Sequence, residues 1–148
     1  KLTLTIDTCF SEILTACQRI GRKGQDGTWI TDEMHEAYCQ LHKMGYAHSV
    51  EVWQGDHLAG GLYGISLGNM FFGESMFALA PNASKFAFIS LVKILKSKGF
   101  KLIDCQLGTA HLATLGARAI ERKQFLNYLK INRVAPSFVG NWSGWVTN

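Results

Sequence analysis

The sequence has no apolar run long enough to cross a bilayer; its longest, Phe86 to Leu95, is broken by Ser90 and Lys93. A secretory leader is not visible either, because Asp7 and Glu12 stand where an apolar h-region would be, and the chain starts at Lys1 rather than Met, as a processed chain or a piece of a longer one would. Cys9, Cys17, Cys39 and Cys105 lack the short paired spacing of zinc sites and redox dithiols, and read as small apolar fillers of a reduced, cytosolic core. His35, His42, His48, His57 and His111 form no HExxH or comparable spacing, so no metal is expected. A G-x-S-x-G elbow and a P-loop are both absent. Pairing Cys105 with His111 as nucleophile and base is disfavoured, since Cys105 falls inside a strand on the face opposite Asp104. Internal repeats and low-complexity segments are lacking too. Charge is nearly balanced: 15 Lys and Arg against 11 Asp and Glu leave a net +4, which permits a nucleic-acid partner without arguing for one.

What is present suffices for one domain with a real core, 148 residues at 47% hydrophobic. Leu2 to Ile6 reads as a strand, and Asp7 is placed to cap a helix whose Phe10, Ile13, Leu14 and Cys17 share one stripe. Arg19 to Gly27 is a glycine-punctuated basic loop, either a solvated connector or a phosphate-contacting one. Thr31 caps a second helix, with Asp32 and Glu33 in its first turn, Met34, Tyr38, Leu41 and Met44 as its buried stripe, and Gly45 at its end. Strands over Ala47 to Trp53, Leu58 to Ser66 and Met70 to Phe77 follow as a meander; Gly60, Gly61 and Gly64 in the second mark a bulge or a close approach. Asn82 is placed to cap a helix from Ala83 to Lys98, whose apolar band is wide enough to bury two sides. Lys101 to Gln106 then forms a strand parallel to an earlier one, followed by a short helix before Ala117 and a last helix from Glu121 to Lys130. The expected organisation is a catalytic domain over 1–133 and a tail over 134–148 without readable period. Such a mixed sheet with flanking helices is an α+β layer fold, in the element order of the N-acyltransferase (GNAT-like) fold. The glycine-rich pyrophosphate loop of acetyl-CoA transferases is missing, however, since Phe77 to Ala83 offers only Pro81 and Asn82.

Two acids stand out in otherwise apolar strands, Glu74 and Asp104. Burying a carboxylate without partners costs several kcal/mol, so each is either turned outward by strand alternation or kept for chemistry. Period two sets Asp104 and Gln106 on one face, near an apolar wall of Phe71, Phe72, Met76, Phe88 and Leu91. Acids beside such a wall suit the joining of a basic amine to a hydrophobic acyl group.

Several ordered segments carry a specific resemblance. Gly27-Thr28-Trp29-Ile30-Thr31, Gly45-Tyr46-Ala47-His48-Ser49-Val50-Glu51-Val52-Trp53, Gly60-Gly61-Leu62-Tyr63-Gly64, Phe72-Gly73-Glu74-Ser75-Met76-Phe77, Leu102-Ile103-Asp104-Cys105-Gln106, and His111 with Leu115-Gly116-Ala117 closely resemble the bacterial leucyl/phenylalanyl-tRNA–protein transferases over most of Lys1 to Lys130. The resemblance implies transfer of Leu or Phe from Leu-tRNA or Phe-tRNA to the α-amine of proteins with N-terminal Lys or Arg, marking them for N-end-rule degradation in the cytoplasm, without cofactor or metal. Carried over by position, Glu74 would recognise the basic residue, and Asp104 with Gln106 would hold the attacking amine and the ester. Leu62, Phe71, Gly73, Met76, Phe88, Leu91 and Ile103 would form the pocket for the Leu or Phe side chain, and Trp29 would lie near the adenosine end. The Trp-, Tyr- and Pro-rich region that members usually carry before the first strand is not in this sequence.

For tRNA phosphates the candidates are Arg19, Arg22, Lys23, Lys85, Arg118, Arg122 and Lys123. Aminolysis of an aminoacyl ester is downhill, and an α-amine with a pKa of about 7.7–8.0 is partly neutral already, so alignment matters more than a strong base. Two alternatives stand beside this reading: an acyl-CoA-dependent N-acyltransferase, and a non-catalytic module binding basic N-termini or tRNA ends.

Overall fold

The computed structural model describes residues 1–20 and 30–146. Runs rich in strand-forming residues, separated by glycine-bearing turns, make a five-stranded sheet in which sequence order is also spatial order. Strands β1 (Leu2–Ile6), β2 (Ala47–Gln54), β3 (His57–Leu67) and β4 (Met70–Ala78) pair antiparallel. After β4 the chain climbs through helix α3 (Ala83–Ser97) and returns as β5 (Leu102–Asp104), parallel to β4, as the crossover predicts. Helices α1 (Phe10–Arg19) and α2 (Asp32–Lys43) precede the meander, while α4 (Ala110–Thr114) and α5 (Arg122–Asn132) follow β5.

The apolar stripes place the layers. Phe10, Ile13, Leu14 and Cys17 of α1 pack with Tyr63 and Phe77 on one face of the sheet. On the other, Ala87, Phe88, Leu91 and Leu95 of α3 meet Val50, Val52, Leu62 and Phe71. Thr31 caps α2 as expected, its hydroxyl accepting from the Met34 N–H at 3.2 Å, and Gly45 leaves the helix at φ +86°.

Several expectations are corrected. Asp7 does not cap α1: it sits at φ +58°, 8% exposed, and its carboxylate accepts from the backbone N–H of Ser49 (3.0 Å) and of Trp142 (2.8 Å) and bonds His48 Nδ1 (2.8 Å). Those buried donors come from β2 and the C-terminal segment and would otherwise be unpaired. Asn82 takes the left-handed conformation at φ +64° without a side-chain bond to α3. Met44, just before the chain turns at Gly45, is 60% exposed instead of buried. The band on α3 is covered on one side only, since Phe86 and Ile89 are 36% and 42% exposed. β5 stops at Asp104, two residues early, because Gln106 adopts φ +64° and leaves the strand.

The aperiodic stretch beyond Val134 is structural. Trp142 is fully buried, stacked between His48 (3.5 Å) and Trp145 (4.2 Å), and Phe138 stacks on Phe100 (5.3 Å). Ser137 Oγ accepts from the Gly68 N–H at 2.7 Å, tying the same stretch to the β3–β4 turn. Among the described residues, the deepest acids are therefore Asp7 and Glu51, whose carboxylate receives the hydroxyls of Ser49 (2.5 Å), Thr5 (2.6 Å) and Thr8 (2.8 Å). Glu74 and Asp104 are half-buried.

Candidate active site

The site begins with a bulge in β4. Tyr63 faces Ser75 and Gly64 faces Gly73, so Glu74 is the extra residue, left out of the ladder and re-aimed. Gly64 makes the bulge possible. A Cβ there would collide with the Phe72 carbonyl oxygen and come within 2.6 Å of the Phe71 ring. Freed from strict alternation, the Glu74 carboxylate accepts a hydrogen bond from the Tyr38 hydroxyl of α2 at 3.0 Å.

Next to the bulge β4 and β5 separate, since their pairing ends at Phe72 and Asp104. Gln106 bridges the gap: its Nε2 donates to the Gly73 carbonyl at 3.0 Å, and its backbone N–H donates to Asp104 Oδ1 at 2.8 Å. The left-handed backbone of Gln106 sets this arrangement, so strand alternation is not what brings Asp104 and Gln106 together. Burial pushes the Glu74 carboxyl above the usual carboxylate range; hydrogen bonds from Tyr38 and Gln106 oppose that, and the charge of Asp104 adds to it. Burial, then Asp104, also pushes the Cys105 thiol up, which disfavours a thiolate nucleophile.

Behind the acids lies a cavity of about 100 Å³, between the opened strands and α3. Leu62, Phe71, Gly73, Met76, Phe88, Leu91 and Ile103 all line it, as does Glu74 at its rim. Phe72, counted with this wall in the sequence, is not in the lining, because the residue after Phe71 in an extended strand points to the other face. Tyr63, Ser75, Cys105 and Leu112 line it as well and were not foreseen. Tyr63 and Ser75 flank the bulge, which no sequence period reports; Leu112 comes from α4, too short for a stripe.

A second, open groove of about 1130 Å³ runs between α3, β5 and the segment leading to α5. Asp104 and Gln106 line it together with Lys96, Lys101, Arg118 and Arg122. Lys123 is exposed on α5 outside its lining, and Lys85 lies in the first turn of α3. Arg19 ends α1, whereas Trp29, Arg22 and Lys23 lie outside the described residues. Among the described residues no group of three His, Cys, Asp or Glu is placed to hold a metal, and no helix is long and apolar enough to cross a membrane.

The family profile described as leucyl/phenylalanyl-tRNA protein transferase matches residues 1–130. A protein of that name from Syntrophus aciditrophicus (strain SB) is 55% identical over 140 residues, which cover 95% of this chain and 59% of the relative. Another from Pseudomonas fluorescens is 55% identical over 134 residues, 90% of this chain and 59% of the relative. The chain thus spans about 60% of the length of the curated relatives it matches. Among solved structures, an aminoglycoside acetyltransferase from an uncultured soil metagenomic sample superposes with a TM-score of 0.60 at 12% identity, over 82% of this chain and 91% of that one. A ribosomal-protein-alanine N-acetyltransferase from Brucella melitensis biovar Abortus 2308 gives 0.59 at 11% identity, over 82% and 93%. These likenesses show the GNAT-like fold.

Proposed function

Since this chain belongs to the leucyl/phenylalanyl-tRNA protein transferase family, we propose that it carries the transfer site of an enzyme that moves Leu or Phe from aminoacyl-tRNA to the α-amine of a protein beginning with Lys or Arg. The reaction takes place in the cytoplasm, where charged tRNA is available, and its product enters N-end-rule degradation. One observation supports the reading above the others: where β4 and β5 separate, Glu74 lines an apolar cavity, and Gln106, whose backbone N–H is bonded to Asp104, reaches across the gap to the Gly73 carbonyl on the wall of the same cavity.

Each part then has a task. The Leu or Phe side chain of the donor enters the cavity, which excludes polar acyl groups because its walls offer mainly carbon. Its ester carbon is thereby held near Gln106. Glu74 attracts the basic side chain of the acceptor, and Asp104 draws the α-amine towards the ester and stabilises the positive charge that develops on its nitrogen. The side-chain amide of Gln106 donates to Gly73 and to Glu74, which leaves its carbonyl oxygen as the group that accepts from the amine. The amine attacks the ester carbonyl, the C–N bond forms, and the ribose oxygen leaves with a proton. Alignment supplies most of the rate. Arg118 and Arg122, on the wall of the groove that contains Asp104, are the cations best placed for phosphates of the donor; Lys85 and Lys123 lie further out.

Incubation of the chain with labelled Phe-tRNA and an Arg-starting peptide, with acetyl-CoA in parallel as donor, tests the proposal. Labelled Phe on the peptide's α-amine is the expected product. Acetylation without Phe transfer would support the acyl-CoA alternative, and binding of peptide or tRNA without any product would support a binding module.

A further inference from the structure

Resting on the transfer reading above, we propose that Tyr38 is a positioning residue for acceptor specificity, fixing the Glu74 carboxylate from α2 so that it faces the basic side chain of the incoming N-terminal residue. A bulge residue is not held by the ladder on either side, so Glu74 depends on side-chain partners for its orientation. Tyr38 supplies one at 3.0 Å, to Oε2.

The phenol is itself held in place. Its ring meets Tyr63 edge-to-face at 5.3 Å, Tyr63 meets Phe10 edge-to-face at 6.0 Å, and Phe10 lies flat on His42 at 4.3 Å. A row of rings from α1, α2 and β3 therefore stands behind a single hydroxyl, and packing of this kind limits its rotation. Tyr63 is fully buried and its hydroxyl has no hydrogen-bond partner among the described residues, an expensive arrangement in a core. What Tyr63 contributes is the place of its ring, as the brace for Tyr38.

The charge logic points the same way. The groups facing Glu74 are Tyr38 from α2, Tyr63 from β3, and Asp104 and Gln106 at the end of β5. Desolvation and Asp104 favour protonated Glu74, while Tyr38 and Gln106 favour the carboxylate. Burial, and then the charge of Glu74, push ionisation of the Tyr38 phenol up, so it remains a donor throughout the pH range of the reaction. Loss of that donor leaves Glu74 protonated at a higher pH and blind to Lys and Arg.

Tyr38→Phe removes the donor and keeps the ring. The expected result is a roughly ten- to hundredfold rise in KM for an Arg-starting peptide, little change in KM for Phe-tRNA, and an acid limb of kcat/KM that moves to higher pH. A Tyr38→Phe, Glu74→Gln double-mutant cycle should show no further loss from Tyr38→Phe once Glu74 is neutral. An unmoved acid limb, or additive losses in the cycle, would overturn the proposal. Titration of ¹³C-labelled glutamate carboxyls, with Glu74 assigned from Glu74→Gln, reads the same hydrogen bond without turnover: a midpoint at higher pH in Tyr38→Phe is expected, and an identical midpoint refutes it. A wild-type chain that transfers nothing would count against the function reading alone, and the titration would still decide whether Tyr38 governs Glu74.

Discussion

Gly64→Ala should damage the fold and the cavity proposed for the acyl side chain together. An alanine Cβ at this position would lie 2.6 and 2.7 Å from two ring carbons of Phe71, where ordinary contact begins near 3.4 Å, so the ring must retreat by roughly 0.8 Å. It has few places to go, because Phe71 is 1% exposed and packed against α3. The carbonyl of Phe72, which the same methyl would strike, adjoins the bulge and cannot move without disturbing the Gly64–Gly73 and Ile65–Phe72 pairings. Overpacking of this kind costs about 1–3 kcal/mol. The stiffer unfolded chain returns about 0.4–1 kcal/mol, which takes the expected cost to the lower part of that range. At about 2–4 °C per kcal/mol for a domain of this size, the melting temperature should fall by about 2–8 °C. The free volume open to the displaced ring is the cavity of about 100 Å³, so transfer of Phe should suffer more than transfer of the smaller Leu. Thermal melting followed by circular dichroism, alongside competition between Phe-tRNA and Leu-tRNA, measures both effects. A melting temperature within about 1 °C of wild type and an unchanged Phe-to-Leu ratio would refute the account of why position 64 is glycine.

Other perturbations separate the parts of the site. Glu74→Gln should lower kcat/KM for Arg-starting peptides by roughly ten- to hundredfold without weakening tRNA binding, as competition kinetics would show. The same variant has a stability signature: because the folded carboxyl titrates above its ordinary value, the folded state binds more protons in that window and wild-type stability falls as pH rises through it, whereas the Gln variant escapes that loss. Urea midpoints between mildly acidic and neutral pH read this directly. Asp104→Ala should depress kcat by about a hundredfold or more with peptide and tRNA still bound, measured by single-turnover transfer. Replacing Arg118 and Arg122 together with Ala should flatten the log–log salt dependence of tRNA binding by about one for each phosphate no longer neutralised; an unchanged slope would place the donor elsewhere.

Local signals in the chain were enough for the layers. Thr31, Gly45 and the stripe of Phe10, Ile13, Leu14 and Cys17 report helices because capping and period are short-range properties. Leu62, Gly73, Met76 and Ile103 of the cavity were readable from the segments that carry the resemblance, and Phe71, Phe88 and Leu91 from the apolar runs beside them. Period two, however, counts residues and cannot see that Glu74 is an extra one, so by sequence the acid reads as part of a regular strand. The same period puts Asp104 and Gln106 on one strand face, whereas the structure links them through the Gln106 backbone N–H after the strand has ended. Asp7 looked like a helix cap because caps are local, while its partners lie at residues 48, 49 and 142. Trp142 carries no sequence signal for the same reason: an anchor in an irregular segment has no neighbours in sequence that repeat its environment.

The bond between the Trp142 N–H and Asp7 joins residues 135 apart, and the Trp142 indole closes over His48 at the same point. At about 5–20 residues per second, a ribosome needs roughly 7–27 s to travel from one to the other. During that interval the nascent chain can pair β1 with β2 and dock α1, but the carboxylate of Asp7 and the face of His48 wait for a lid not yet made. Completion of the core is thus timed by translation, and the half-built sheet has to survive among ribosomes and chaperones for far longer than a hairpin needs to form.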